Sequence, residues 1–215
     1  MLEGPDIRPE AMTVEALQAA LERERERARE VDHRAKNSLQ LVSSLLLLLG
    51  RRSSQPETQR ALKAMHQRVG AVAAVHREIL DAQESDRFNL TAFVREHVST
   101  LARAQGGGAV VHLDLAPVEV SAAQACPVAL LVNELAQNAL THGAAPDRPA
   151  EVTVRLEPAG AGFALTLRDE GPGLPPNGGE GGFGLFMTRL LSQQLGADVA
   201  WTDAQPGQRV VVTVP

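Results

Sequence analysis

The chain has 215 residues, 44% of them hydrophobic and 22% charged, with a formal net charge of −5. That length holds one large or two small domains, and the negative balance argues against a protein that grips nucleic acid through a basic face. The single cysteine, Cys126, excludes an internal disulfide framework and fits a reducing cytoplasm, and with aromatics at 3% the core has to be aliphatic.

Residues 1–10, with Gly4, Pro5 and Pro9, read as a flexible tail. The acidic N-terminus lacks the apolar segment of a secretory signal. The longest apolar run, Leu45 to Leu49, falls far short of the ~20 residues a membrane span needs. The chain therefore reads as soluble, or as the cytoplasmic part of something longer.

From Ala11 onward apolar or small residues recur at 14, 17, 21, 28, 31, 35, 42, 45 and 49, broken only at Glu24 and Ser38. Alternating steps of three and four over about five repeats predict a coiled-coil or bundle seam. Opposite charges such as Glu22 with Arg25 and Glu24 with Arg27 belong to a solvated helix face. A helix over residues 11–50 would be about 60 Å long at ~1.5 Å per residue, too long to supply its own core.

Gly50 fits a helix stop. Ser54, Pro56 and Glu57 then read as a cap, a first-turn proline and a capping-box acid. The second helix places Leu62, Met65, Val69, Val72, His76 and Ile79 on one stripe, which predicts an antiparallel helical hairpin. Five consecutive leucines cover more circumference than one partner helix buries, so the pattern predicts a four-helix bundle formed by dimerisation.

A polar stretch around Asp81–Asn89 marks a boundary between a hairpin at 11–84 and a second domain at 85–215. There the pattern gives a helix at 90–104, a strand at 109–115, a helix at 122–142 and strands at 150–157 and 162–168. A Gly/Pro-rich loop follows, then a helix at about 184–195 and strands near 198–202 and 208–214. Short turns between strand pairs make this an α/β sandwich with an antiparallel-leaning sheet, and the chain as a whole α+β.

Three clusters in that domain carry chemistry. On the first, Asn133 to His142, the residues Glu134, Asn138 and His142 stand at i, i+4 and i+8 along one helix face. A carboxylate and a carboxamide there suit a hydrated Mg²⁺, although a polar stripe on a surface helix has the same spacing. The second, Asp169-Glu170-Gly171-Pro172-Gly173, puts an acid at a strand end beside glycines that let a ligand approach the backbone, as also happens in a plain turn. The third, Gly181-Gly182-Phe183-Gly184-Leu185, opens a helix whose free amides can cradle phosphate.

Taken in order and spacing, the three clusters resemble the ATP-binding domain shared by histidine kinases, gyrase-type ATPases, Hsp90 and MutL. The helix around Asn138 looks like that family's N box, Asp169–Gly173 like its G1 box, and Gly182–Gly184 like its G2 box. The resemblance implies that Asn138 ligates Mg²⁺, that Asp169 hydrogen-bonds the adenine amino group, and that residues 174–183 form a mobile ATP lid. It also implies that Glu134 stands where related ATPases carry a catalytic acid, here either second to Mg²⁺ or a helper of the phosphate acceptor.

The N-terminal half resembles the matching partner. Glu30 to Gln40, with His33-Arg34-Ala35-Lys36-Asn37 at its centre, looks like the phospho-acceptor box of the His-Arg-x-Lys-Asn subgroup of sensor histidine kinases, close to the HWE kinases. Arg68-Val69 and Val75-His76 match that subgroup too. Thr141 departs from the pattern where many relatives carry a basic residue, Trp201 is followed by Thr202-Asp203 rather than completing a Trp-x-Glu motif, and the lid is short.

With Ala28 and Ala35 at heptad position a, His33 falls at f, the most exposed position. Glu30 and Asn37 share its face, and Glu30 or Asp32 could orient the ring or take its proton. An unperturbed imidazole is largely neutral, hence nucleophilic, near neutral pH.

The expected function is an ATP-dependent protein histidine kinase, probed as such against a phosphotransferase adaptor with a degenerate ATP site. By resemblance, phosphate passes from His33 to an aspartate of a response regulator receiver domain. A homodimer and an upstream sensor domain or partner are the other expected associations. His76 is expected to pack within the hairpin, and His66, His97 and His112 to be surface or partly buried structural residues.

Overall fold

The computed structural model describes residues 14–81, 86–105, 108–144, 148–172 and 182–215. Helix α1, Val14–Arg52, runs into α2, Pro56–Asp81, through a short polar turn. Pro56 opens α2, so Gln55 rather than Ser54 holds the flanking position. The Gln55 amide donates to Ser53 Oγ at 3.2 Å, and Gln59 Nε2 reaches back to the Ser53 carbonyl at 2.7 Å. The two helices form an antiparallel hairpin whose register is marked by a hydrogen bond between Ser43 and His66 at 2.8 Å.

Among the described residues, the face of α1 turned to α2 overlaps the predicted seam only at Ala35. Ala35, Leu39, Ser43, Leu46 and Gly50 are half-buried, whereas the seam residues Val31, Val42, Leu45 and Leu49 are 64%, 44%, 48% and 53% exposed. At about 100° per residue the two stripes lie roughly a quarter turn apart. Helix α1 thus carries two neighbouring apolar faces, one covered by α2 and one uncovered in the single chain.

The rest of the chain is an α/β sandwich. Strand β1, Arg87–Asn89, leads into α3, Leu90–Ala104, capped by Asn89 Oδ1, which accepts from the Ala92 amide at 2.9 Å. Strands β2, Val110–Leu115, and β3, Glu119–Ser121, precede α4, Ala122–His142. Then come β4, Glu151–Ala159, β5, Gly162–Asp169, α5, Phe183–Leu195, β6, Asp198–Asp203, and β7, Gln208–Val214. The main sheet has the order β2-β4-β5-β7-β6, with β2 parallel to β4 and the other pairs antiparallel. The short strands β1 and β3, not expected from the sequence, pair separately with Phe88 opposite Val120.

Alternation along β4 and β5 sends Val152, Val154, Leu156, Phe163, Leu165 and Leu167 inward. There they join Leu90, Val94 and Val98 of α3 and Val128, Leu131, Val132 and Leu135 of α4 in one aliphatic core. At about 1.5–3 kcal/mol for each large aliphatic side chain removed from water, this layer supplies the main drive to fold. Ala71 and Val75 of α2, both 0% exposed, belong to the same core. The hairpin and the sandwich are therefore packed on each other through α2 and α4. A groove of about 830 Å³ remains between the hairpin and α3, lined by residues such as Leu47, His66, Phe93 and Leu101.

Candidate functional site

Helix α4, the end of β5 and the start of α5 meet at one cleft. Glu134 and Asn138 stand one turn apart on α4, Glu134 buried and Asn138 half-buried. An ideal Cβ on Gly184 would lie 3.4 Å from Glu134 Oε2 and 3.5 Å from Asn138 Oδ1, so the first turn of α5 runs directly over both side chains. Gly182 precedes that turn, its carbonyl accepting from the Leu185 amide at 3.0 Å.

A buried carboxylate has to be paired, and Glu134 is. Arg68 of α2 donates to it through Nε at 2.9 Å and Nη2 at 2.6 Å, and Asn133 Nδ2 donates to Oε1 at 3.0 Å. With its amide nitrogen so used, Asn133 turns its oxygen to His97 Nε2 at 3.1 Å, which fixes that ring nitrogen as the donor. The His97 ring also stacks on Phe93, centroids 4.9 Å apart. Burial holds the His97 pKa below its ordinary value, opposed by the Asn133 bond and the nearby Glu96 charge. A chain of contacts thus runs from α3 through α4 to the hairpin.

At the other end of the cleft Asp169 closes β5 and is 7% exposed. Its Oδ1 accepts from the Gly171 amide at 3.0 Å and the Gln208 amide at 3.3 Å. Backbone segments crowd around it. An ideal Cβ on Gly143 would lie 2.9 Å from Asp169 Cβ, one on Gly171 would lie 2.1 Å from the His142 carbonyl oxygen, and one on Gly207 would lie 1.8 Å from the Asp169 carbonyl oxygen. Glycine is needed at all three points because a side chain would displace the wall that presents the carboxylate.

The remaining expected residues divide. His142 ends α4 and is exposed, its backbone rather than its ring meeting Gly171. Thr141 Oγ1 accepts from Gln105 Nε2 at 3.4 Å. Leu185 is half-buried in the first turn of α5. Gly173, the lid residues 174–181 and the Asp32 side chain lie outside the described residues.

His33 is exposed on α1, as its heptad position predicts. Glu30, on the same face, is bonded to Arg34 at 2.6 Å, and Asn37 is exposed one turn further on. The structure does not bring His33 to the cleft. The Ser43–His66 register sets His33 level with His76, about 12 Å along α2 from Arg68 at ~1.5 Å per residue.

The donor set at the cleft is oxygen-poor. Both Glu134 oxygens are engaged, Asn138 offers one amide oxygen, and among the described residues no three His, Cys, Asp or Glu side chains gather as a metal cage. This suits Mg²⁺ that arrives with a polyphosphate and keeps phosphate and water oxygens for most of its shell. Sequence reading did not pick out Arg68 as a member of this cluster, nor Asn133, His97, Gly143 and Gly207. An isolated charge on a helix reads as solvated, and the two glycines sit in ordinary-looking turns.

Comparison with known proteins bears on this geometry. Residues 30–105 match the profile described as histidine kinase, and residues 95–214 match that of the histidine kinase-like ATPase domain. The sensor histidine kinase PdtaS of Mycobacterium tuberculosis is 30% identical over 197 residues, covering 87% of this chain and 39% of its own length. A blue-light-activated histidine kinase of Rhizobium johnstonii is 28% identical over 207 residues, covering 94% of this chain and 56% of that protein. The chain thus spans about two fifths to a little over half of these relatives. Among solved structures, the blue-light activated histidine kinase EL346 of Erythrobacter litoralis superposes with a TM-score of 0.66 at 26% identity, over 97% of this chain and 62% of that one. Its separate histidine kinase domain gives 0.66 at 21% identity, over 83% and 94%, and shares the fold. The two profile matches run from α1 to β7, the second alone spans more than half of the chain, and the protein belongs to the histidine kinase family.

Proposed function

We propose that this chain is the catalytic core of a protein histidine kinase, in which residues 85–215 bind ATP and the hairpin 11–84 carries the phosphate acceptor His33. The observation that carries this reading is the convergence of Asn138 with the glycine-led start of α5, 3.5 Å from Asn138 Oδ1 to an ideal Cβ on Gly184, at a cleft closed by Asp169.

Each part has a physical role. Asp169, its Oδ1 fixed by two backbone amides, keeps a carboxylate oxygen to accept from the exocyclic amine of adenine. The backbone at Gly182 and Gly184 opens α5, where amides point toward an anion. Asn138 would hold Mg²⁺, which when bound offsets phosphate charge. Gly171 would let the chain pass close to the base, and Leu185, half-buried in the first turn of α5, would anchor that turn.

His33 supplies an imidazole nitrogen. A nitrogen–phosphorus bond forms, the bond from the γ-phosphorus to the bridging oxygen breaks, and ADP leaves. Positioning dominates such a reaction. Transfer requires the ATP domain to approach His33, whose level on the hairpin lies about 12 Å along α2 from Arg68, or to serve the His33 of a second chain. Glu30 and Asn37 flank His33 and would orient it, Glu30 exchanging its Arg34 partner for the ring. The phosphoryl group would then pass to an aspartate of a receiver domain. The uncovered seam of Val31, Val42, Leu45 and Leu49 supports a homodimer.

The test is incubation with Mg·ATP labelled at the γ-phosphate. Wild type is expected to acquire acid-labile, alkali-stable label, His33→Ala to bind ATP without acquiring it, and Asn138→Ala to lose it while the hairpin stays folded. Label retained in His33→Ala would place the acceptor elsewhere. Wild type that takes no label yet accepts phosphate from a phosphorylated regulator would establish the adaptor reading instead.

A further inference from the structure

The hairpin supplies a cation to the end of the cleft where α5 begins. Arg68 grips both oxygens of Glu134, at 2.9 and 2.6 Å, and is 13% exposed against 4% for Glu134. Its Cζ also stands 4.7 Å from the centre of the Phe183 ring, the first residue of α5. Glu134 Oε2, which Arg68 Nη2 holds, is the same atom that lies 3.4 Å from an ideal Cβ on Gly184. A guanidinium is therefore stationed across one carboxylate oxygen from the α5 N-terminus, the end of the cleft suited to phosphate.

Building on the ATP reading above, we propose that Arg68 is a phosphate-binding residue lent to the ATP site by the hairpin. Glu134 neutralises it while the cleft lacks a triphosphate, and the terminal phosphate of ATP takes the guanidinium over. The exchange is chemically matched, because a planar guanidinium makes the same two-pronged contact with phosphate as with carboxylate. The terminal phosphate carries more charge than a carboxylate and offers three oxygens, so the exchange leaves Arg68 paired. It also releases Glu134, which keeps its Asn133 bond and would take the Mg²⁺ that accompanies the triphosphate as its counter-charge. A diphosphate lacks the group that would draw Arg68 away, so the hairpin senses the third phosphate.

Titration calorimetry with Mg·ADP and with a non-hydrolysable Mg·triphosphate analogue tests this, using the full chain. Arg68→Gln is expected to weaken the triphosphate analogue by about tenfold or more and to change ADP affinity by no more than about twofold. Arg68→Lys is expected to fall between, since an ammonium lacks the fork. Arg68→Gln strands a buried carboxylate, so the double variant Arg68→Gln with Glu134→Gln, which strands none, is the decisive protein. It is expected to show the same selective loss. Equal weakening of both nucleotides in the double variant, or no weakening of the triphosphate, would overturn the phosphate role and leave Arg68 as a docking contact. Wild type that binds neither nucleotide would remove the ATP reading and this proposal with it, whereas wild type that binds both while the double variant fails to discriminate removes the proposal alone.

Discussion

Gly207 runs so close beneath Asp169 that an ideal Cβ on it would stand 1.8 Å from the Asp169 carbonyl oxygen, at a φ of +88°. Gly160 has a comparable φ of +61° with nothing within 4 Å. Both positions carry backbone strain for any other residue, worth about 1–3 kcal/mol, but only Gly207 also carries the overlap. Gly207→Ala is expected to lose more stability than Gly160→Ala in urea titration and to lose adenine-nucleotide binding. Gly160→Ala is expected to bind nucleotide as wild type does. Unchanged binding in Gly207→Ala would show that Asp169 is not held in place from below.

The two apolar faces of α1 predict opposite responses to the same kind of substitution. Leu45→Glu with Leu49→Glu places charge on the uncovered seam, where those leucines are 48% and 53% exposed, and is expected to convert a dimer to a folded monomer. Leu46→Glu places charge on the half-buried stripe facing α2 and is expected to lower helical content and melting temperature instead. Light scattering and circular dichroism distinguish the outcomes. A wild-type chain that is already monomeric at tens of micromolar would refute the dimer.

His97 gives the structure a dependence on acid. Its folded pKa lies below the ordinary 6.5, chiefly because burial disfavours the imidazolium. Between the folded value and 6.5 the unfolded chain binds the proton first, so stability falls as pH drops through that window and is unaffected by this group above it. His97→Gln keeps a donor for Asn133 and removes the titration. It is expected to flatten the decline in unfolding free energy as pH falls below about 6.5. An unaltered slope in the variant would assign the acid sensitivity to other groups.

Large apolar residues at regular spacing were legible, and small ones were not. Helix α4 runs over the expected residues 122–142 because leucines, valines and alanines mark its buried face. The strands β4 and β5 followed from clean alternation, while β1 and β3, three residues each, are too short to alternate visibly. On α2 the stripe from Leu62 to Ile79 read as the apolar face, yet Met65 is 43% exposed and, among the described residues of the helix, the fully buried ones are Ala71 and Val75. Periodicity weights side chains by size, so a helix face built of small residues against a second domain leaves little trace. The seam on α1 was read as the hairpin contact plus a partner contact, and the structure separates them by a quarter turn. The meeting of Asn138, Asp169 and the Gly182–Gly184 turn at one cleft was legible only from the order and spacing of the three clusters, since each alone also fits a plain turn or a polar helix stripe. Arg68 as a partner of Glu134 was not, since the two lie far apart in sequence.

The shallow face of α2 has a mechanical consequence. Ala71 and Val75 are buried in the core that α4 shares, and such short side chains project little beyond the helix cylinder. A contact of short side chains holds α4 chiefly through buried area, as the plain surface of a bearing does. The stop on that bearing is the Arg68–Glu134 pair, which locks α4 to one turn of α2. If the guanidinium passes to a nucleotide phosphate as proposed, that stop is released, and the packing of α4 on α2 rests on the small apolar side chains alone.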